Sequence, residues 1–269
     1  MSVTRTARAA GNAAIARATW GGSQNFLGAR WVERVVSGTP PQYREIVALR
    51  FLALSPHYFY DHDIRAEAQR NASTRRALTE ALIAPHLTGD ARVIDYGCGP
   101  GYFAAAVADK AAHVDAIDIS RGVLACARTL NARPNISYRT PAQFRGDSPA
   151  ADLAYSFAVV QHLTSESLRT ALALLARKIR PGGTLLLHFA EPDPQVWRTE
   201  AQWSASTSIA GRVKLRYGLH CFGRTAEEME AAVSASGFTG IGIRHLRGSL
   251  TVPGDDDITQ QHWLTARRA

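Results

Sequence analysis

The sequence predicts an α/β fold: a doubly wound, mostly parallel sheet of seven strands preceded by an N-terminal helical segment. Three observations carry that expectation. From residue 91 onward, short β-rich runs alternate with amphipathic helical stretches, a rhythm that buries a parallel sheet between two helical layers. The first run ends in a glycine loop, Gly97-Cys98-Gly99-Pro100-Gly101, at a strand-to-helix turn. The chain has 269 residues, 46% of them hydrophobic, which supports one sizeable core with an appendage.

Each element follows from local signals. Pro40-Pro41 opens a helix in which Val47, Phe51 and Leu54 recur at helical spacing, and Ser55-Pro56 breaks it. Ser73 reads as the N-cap of another helix running towards Leu87. Residues 1–87 are therefore expected to form a helical cap whose first ~30 residues are mobile, followed by the main domain over 88–269. Strand runs are expected over 92–95, 114–118, 135–138, 152–155 and 184–187, then 241–246 and 262–266. Before the fifth strand, Leu168, Leu172, Leu175 and Ile179 form one apolar helix face, and Pro181-Gly182-Gly183 is expected to stop that helix. Thr225-Ala226-Glu227-Glu228 is a capping box, and Gly237 closes the helix it opens. Residues 191–221, with Trp197 and Trp203, interrupt the rhythm and read as a substrate-side insertion.

Composition narrows the function classes. The net charge is +8, from 31 basic and 23 acidic residues, with Lys110, Lys178 and Lys214 the sole lysines. The arginines are scattered rather than clustered, which disfavours a nucleic-acid footprint and leaves an anionic small molecule as a partner. Cys98, Cys126 and Cys221 have no CxxC spacing, so neither a disulfide framework nor a cysteine-ligated metal is expected. No apolar run approaches the ~18 residues of a membrane span. The Arg-rich, acid-poor start shares that trait with transit peptides, but a mobile tail or lid helix is the preferred reading. A soluble, cytoplasmic protein is expected.

The glycine loop carries the chemistry. Its glycines let the backbone bend tightly and let a ligand lie against main-chain N–H groups. A dinucleotide enzyme would want a further glycine where Tyr102 stands, so the pyrophosphate reading is weakened. Asp118, at the end of the second strand, can accept both hydroxyls of a ribose and would repel a 2′-phosphate.

Val93-Ile94-Asp95-Tyr96-Gly97-Cys98-Gly99-Pro100-Gly101 resembles the first motif of class I S-adenosylmethionine-dependent methyltransferases. Residues 114–120 resemble that family's acidic second strand, 152–163 its fourth strand with a Gln-His-Leu ending, and 179–187 its Arg-Pro-Gly-Gly strand opening. The likeness covers 91–190 well, 222–268 in outline and 1–60 hardly at all. It implies a Rossmann-like sheet in the order 3-2-1-4-5-7-6 with the last strand antiparallel. It also implies S-adenosylmethionine as cofactor and S-adenosylhomocysteine as product. By that resemblance Asp95 and Gly97 hold the methionine end, Gly99 and Gly101 shape the loop around Cys98, and Asp118 holds the ribose beside Ile119, with Phe157 also on the cofactor. The family usually places an acid after the third strand, towards the adenine amino group. Here the stretch reads Thr140-Pro141-Ala142-Gln143-Phe144, so Gln143 is expected to accept through its amide oxygen while Ala142 and Phe144 flank the ring.

The acceptor is narrowed by what is missing. Nucleic-acid amino methyltransferases resemble one another in a Pro-Pro-aromatic motif after the fourth strand, where this chain has Tyr155-Ser156-Phe157-Ala158. There is no Pro-Cys nucleophile for cytosine carbon, and three scattered cysteines do not suit arsenite. A small-molecule oxygen, nitrogen or carbon acceptor in a biosynthetic pathway remains. His162 after the fourth strand resembles a histidine that phosphoethanolamine methyltransferases pair with an N-terminal tyrosine, a part open to Tyr58 or Tyr60, although Ala158 replaces that group's acid. Glu191, past the fifth strand, is a further candidate base. A phosphorylated or prenyl-diphosphate acceptor, an RNA or protein substrate, a non-catalytic cofactor-binding protein and a nicotinamide-dependent dehydrogenase stand as alternatives.

Overall fold

The computed structural model describes residues 28–54, 63–146, 150–193, 198–205, 207–209, 221–246 and 261–269. Tyr58, Tyr60, Trp197 and most of the expected 191–221 insertion lie outside the described residues.

All seven expected strands form. They are β1 (Arg92–Tyr96), β2 (His113–Ile117), β3 (Ile136–Arg139), β4 (Ala151–Ser156), β5 (Ile179–Phe189), β6 (Phe238–His245) and β7 (His262–Arg268). Their order is β3-β2-β1-β4-β5-β7-β6. β1 to β5 pair in parallel, and β7 runs antiparallel to both β5 and β6. Parallel strands buried on both faces explain the near-continuous apolar runs, such as Leu185-Leu186-Leu187.

Helices cover both faces. The N-terminal helices are α1 (Ala29–Gly38), α2 (Pro41–Leu52) and α3 (Ile64–Leu78); within the sheet region follow α4 (Tyr102–Ala108), α5 (Arg121–Leu130), the short α6 (Pro141–Phe144) and α7 (Ser165–Lys178). The short α8 (Glu200–Ser204) and α9 (Ala226–Ala235) complete the set among the described residues. One core layer joins Leu78, Leu82, Phe103, Val107 and Leu124 to Tyr155, Phe157, Leu186 and Trp263. The opposite layer packs Leu168, Leu172, Leu175, Met229 and Val233 on Ile94, Ala154, Leu185 and Leu187. α1 and α2 form a third cluster on α5, with Val32, Val36, Leu49 and Leu52 against Ala125 and Cys126.

Two local expectations are corrected. Ser73 lies inside α3, which starts ten residues earlier because the Asp63 carboxylate accepts from the Arg65 and Ala66 N–H groups. The helix then widens into a π turn (Thr79–Ile83) and tightens into a 3₁₀ turn (Ala84–His86) before β1. Pro181-Gly182-Gly183 does not separate helix from strand: β5 begins at Ile179, directly after α7, and a register shift against β4 accommodates the three residues. The capping box at Thr225 and the positive φ of Gly237 (85°) form as expected.

Candidate cofactor and methyl-transfer site

The site lies where β1, β2 and β4 end, at the point where strand order reverses around β1 and β4. The glycine loop is shaped by close approach. Gly97 has φ 85°, and a Cβ there would sit 2.2 Å from Val159 Cγ2; at Gly101, φ 83°, it would meet the Tyr138 hydroxyl at 2.3 Å.

The loop's N–H groups are not free for a ligand, contrary to the expectation from spacing. Gly97 and Cys98 both donate to Ile117 O (2.7 and 2.9 Å), Gly101 donates to Cys98 O (3.0 Å), and Gly99 donates to Asp118 Oδ2 (3.0 Å). Pro100 has no N–H to give. A pyrophosphate needs such donors, so this loop is not built as an anion cradle. Cys98 is buried, its thiol pushed well up by that burial, which excludes it as a nucleophile.

Asp118 bridges the two loops, its Oδ2 taking the Gly99 N–H and its Oδ1 the Ser120 N–H (2.8 Å). Burial raises its pKa against those two bonds. A carboxylate has about four lone-pair sites, so both oxygens can still accept ribose hydroxyls. Ile119 beside it is 85% exposed, an apolar surface with nothing of its own packed on it.

Asp95 is 2% exposed, and burial raises its pKa to about 7. It faces Tyr155 across the β1–β4 pairing. The two groups influence each other's ionisation, yet Asp95 Oδ2 and Tyr155 Oη make no hydrogen bond to any neighbour. An unmatched buried carboxyl oxygen at the mouth of the glycine loop is a group waiting for a polar partner.

After β3, Gln143 is engaged otherwise than expected. Its Oε1 accepts from Thr140 N (2.8 Å) and Thr140 Oγ1 (3.0 Å) in a capping box, committing both lone pairs locally. Phe144 is 1% exposed and belongs to the core, whereas Ala142 stays at the surface.

Sequence reasoning singled out Phe157, Ala158 and His162 in the turn after β4, but not the contacts that hold the turn. Ser156 Oγ donates to Tyr96 O (2.8 Å), tying it to the end of β1. Phe157 stacks on His188 (4.1 Å, 14°), and Ala158 has φ 57°, the one non-glycine positive φ among the described residues. A 3₁₀ turn follows (Val160–His162), where the Arg224 guanidinium binds the carbonyls of Val160 and Leu163. His162 Nδ1 lies 3.7 Å from Cys221 Sγ, and Cys221 O accepts from Trp203 Nε1 (2.9 Å). Glu191, past β5, is half-exposed, its Oε1 3.5 Å from His262 Nε2. His162 and Glu191 thus follow neighbouring strand ends, while Tyr58 and Tyr60 lie outside the described residues. A signal for His188 existed: it is a polar residue inside the apolar run 185–189. No cluster of metal-ligating side chains occurs among the described residues.

Comparison with known proteins agrees with this geometry. A family model described as a methyltransferase domain matches residues 93–183. A malonyl-[acyl-carrier protein] O-methyltransferase of Enterobacter lignolyticus is 31% identical over 164 residues, 59% of this chain and 61% of that protein. The chain therefore spans less than two thirds of that relative's length. An uncharacterized methyltransferase of Mycobacterium bovis is 34% identical over 143 residues, 51% of this chain and 69% of that one. A solved S-adenosylmethionine-dependent methyltransferase of Mesorhizobium loti shares the fold, with TM-score 0.50 and 23% identity over 71% of this chain and 96% of its own. With the sheet order and the glycine loop already in place, these matches settle one point: the chain belongs to the class I S-adenosylmethionine-dependent methyltransferase family.

Proposed function

We propose that this chain transfers the methyl group of S-adenosylmethionine to an oxygen of a small-molecule acceptor. The observation that carries the reading is the glycine loop, whose N–H groups at 97, 98, 99 and 101 are all satisfied internally while Asp118 keeps lone pairs for a ribose. That arrangement suits a nucleoside without a phosphate at the turn and does not suit a dinucleotide.

Bound there, the sulfonium supplies an electrophilic methyl group for in-line displacement by the acceptor. Asp118 takes the ribose hydroxyls, Asp95 meets the polar methionine end, Gly97, Gly99 and Gly101 allow close approach, and Ile119 offers the adenine an apolar face. Ala142 flanks the same side, with Gln143 holding its helix start. Phe157 walls the methionine end, and His162 removes the acceptor's proton, with Glu191 the second candidate base. The helical cap of residues 1–87, including Tyr58 and Tyr60, and the insertion of 191–221 close over the acceptor in this reading.

Attack through oxygen is favoured by the O-methyltransferase named among the relatives. The net charge of +8 supports an anionic acceptor. Three buried cysteines that form no disulfide suit a reducing compartment, and we place the protein in the cytoplasm. Among the described residues no helix is long and apolar enough to cross a membrane.

Calorimetric titration tests the cofactor: S-adenosylhomocysteine binds and NAD does not, and the reverse order sinks the reading. Methyl-labelled S-adenosylmethionine with an extract of the source cell tests the acceptor. Label in the small-molecule fraction supports it, and label on RNA or protein overturns it.

A further inference from the structure

We propose that His188 is a positioning residue that holds the strained turn after β4 in the shape the cofactor loop requires. The inference rests on the methyltransferase reading above, and its test separates the two.

The turn needs an anchor. Ala158 adopts φ 57°, a conformation disfavoured for any residue with a Cβ, and such strain persists only where the surroundings over-determine it. The turn also has a task. Val159 fills the space in front of Gly97, so closely that a Cβ on Gly97 would collide with it. A relaxed turn would therefore move the wall against which the glycine loop sits. Arg224 fixes the far end of this segment through the Val160 and Leu163 carbonyls. At the near end, the Ala158 N–H donates to His188 Nδ1 at 3.2 Å.

The ring is suited to nothing else in sight. His188 is 0% exposed, and the Phe157 ring lies on it at 4.1 Å, so its plane is set by packing. Nδ1 accepts, which places the hydrogen on Nε2, and Nε2 has no hydrogen-bond partner. An apolar residue would avoid leaving that donor unmatched in the core. The bond to Ala158 is the compensating gain, and it links β5 to the turn between cofactor and acceptor. Burial keeps the ring neutral, so the acceptor lone pair is present throughout the working pH range.

The experiment measures S-adenosylhomocysteine affinity and melting temperature for the wild type, His188→Asn, His188→Leu and His188→Leu/Ala158→Gly. Asparagine can present Oδ1 where Nδ1 stood, so its affinity stays within about threefold, whereas leucine weakens binding about tenfold. Glycine adopts positive φ freely, so the double variant returns to within about threefold of wild type. Equal affinity for leucine and wild type, or no recovery with Ala158→Gly, overturns the proposal. Should the leucine variant fail to fold, the ring nitrogens of ¹⁵N-labelled wild type decide. Hydrogen on Nε2 alone supports the anchor, and hydrogen on Nδ1 overturns it. A wild type that binds no S-adenosylhomocysteine defeats the methyltransferase reading instead, and the nitrogen spectrum still judges the anchor.

Discussion

The two halves of the site are built differently. On the β1–β2 side the backbone is closed on itself: each loop N–H has an internal acceptor, and Asp118 joins the ends of both strands. On the β4–β5–β7 side the backbone turn is held by side chains from other elements: His188 Nδ1 accepts the Ala158 N–H, and Arg224 binds the Val160 and Leu163 carbonyls. Unmatched buried side-chain atoms occur in both halves, Asp95 Oδ2 and His188 Nε2 among them. A preformed backbone cradle suits one invariant ligand, because its shape does not depend on what else is bound. A turn held by side chains of other elements takes its shape from their packing rather than from its own backbone.

That contrast can be broken at the cradle with the largest effect. Gly97→Ala forces a Cβ into Val159 at a positive φ, and S-adenosylhomocysteine affinity should fall by roughly three orders of magnitude. An unchanged titration would show that the loop is not preformed. Asp118→Ala removes the acceptor proposed for the ribose and frees two N–H groups, and the expected loss is about 100-fold in affinity. On the other half, His162→Gln should leave that affinity within about twofold while slowing methyl transfer roughly 100-fold. Equal losses in binding and turnover would erase the distinction between the halves.

A subtler difference appears in pH dependence. Asp95 is raised from the ordinary 3.8 to about 7, so the folded chain keeps a proton there that the unfolded chain has released, and its contribution to stability falls as pH rises through that window. His188 is lowered from 6.5 to about 3, so the unfolded chain binds the proton first, and its contribution falls as pH drops through that range. Between about pH 4 and pH 6.5 the two oppose each other. Thermal melts across this range should show Asp95→Asn losing stability on acidification more steeply than wild type, and His188→Asn losing it more steeply on alkalinisation. Parallel curves for all three would mean neither group titrates as its burial demands. The smallest effect lies away from both halves: Thr225→Ala removes a cap and should cost about 1 kcal/mol, visible in denaturant unfolding, with binding unaltered.

Much of the architecture was legible because its signals are local. Alternating apolar runs located all seven strands, and glycine spacing located the tight turn after β1, since strand burial and tight turns each demand particular residue types over a few positions. Boundaries were less legible where two local signals competed. Ser73 lost to Asp63 because an N-cap is decided by which side chain reaches free N–H groups. Pro181-Gly182-Gly183 was absorbed into a bulged strand because β4 offered pairing there. Gln143 was located, but its amide oxygen is held by Thr140, a partner three residues away that the sequence also contained.

The sequence by itself determined the sheet, the family and the residues gathered at the strand ends, because periodicity, glycine spacing and acid placement are properties of neighbours along the chain. The tertiary structure alone decided which loop N–H groups are already bonded, that Ala158 is strained and that His188 from another strand holds it. Those depend on partners 19 and 30 residues apart, whose meeting is set by sheet pairing and core packing rather than by any local pattern.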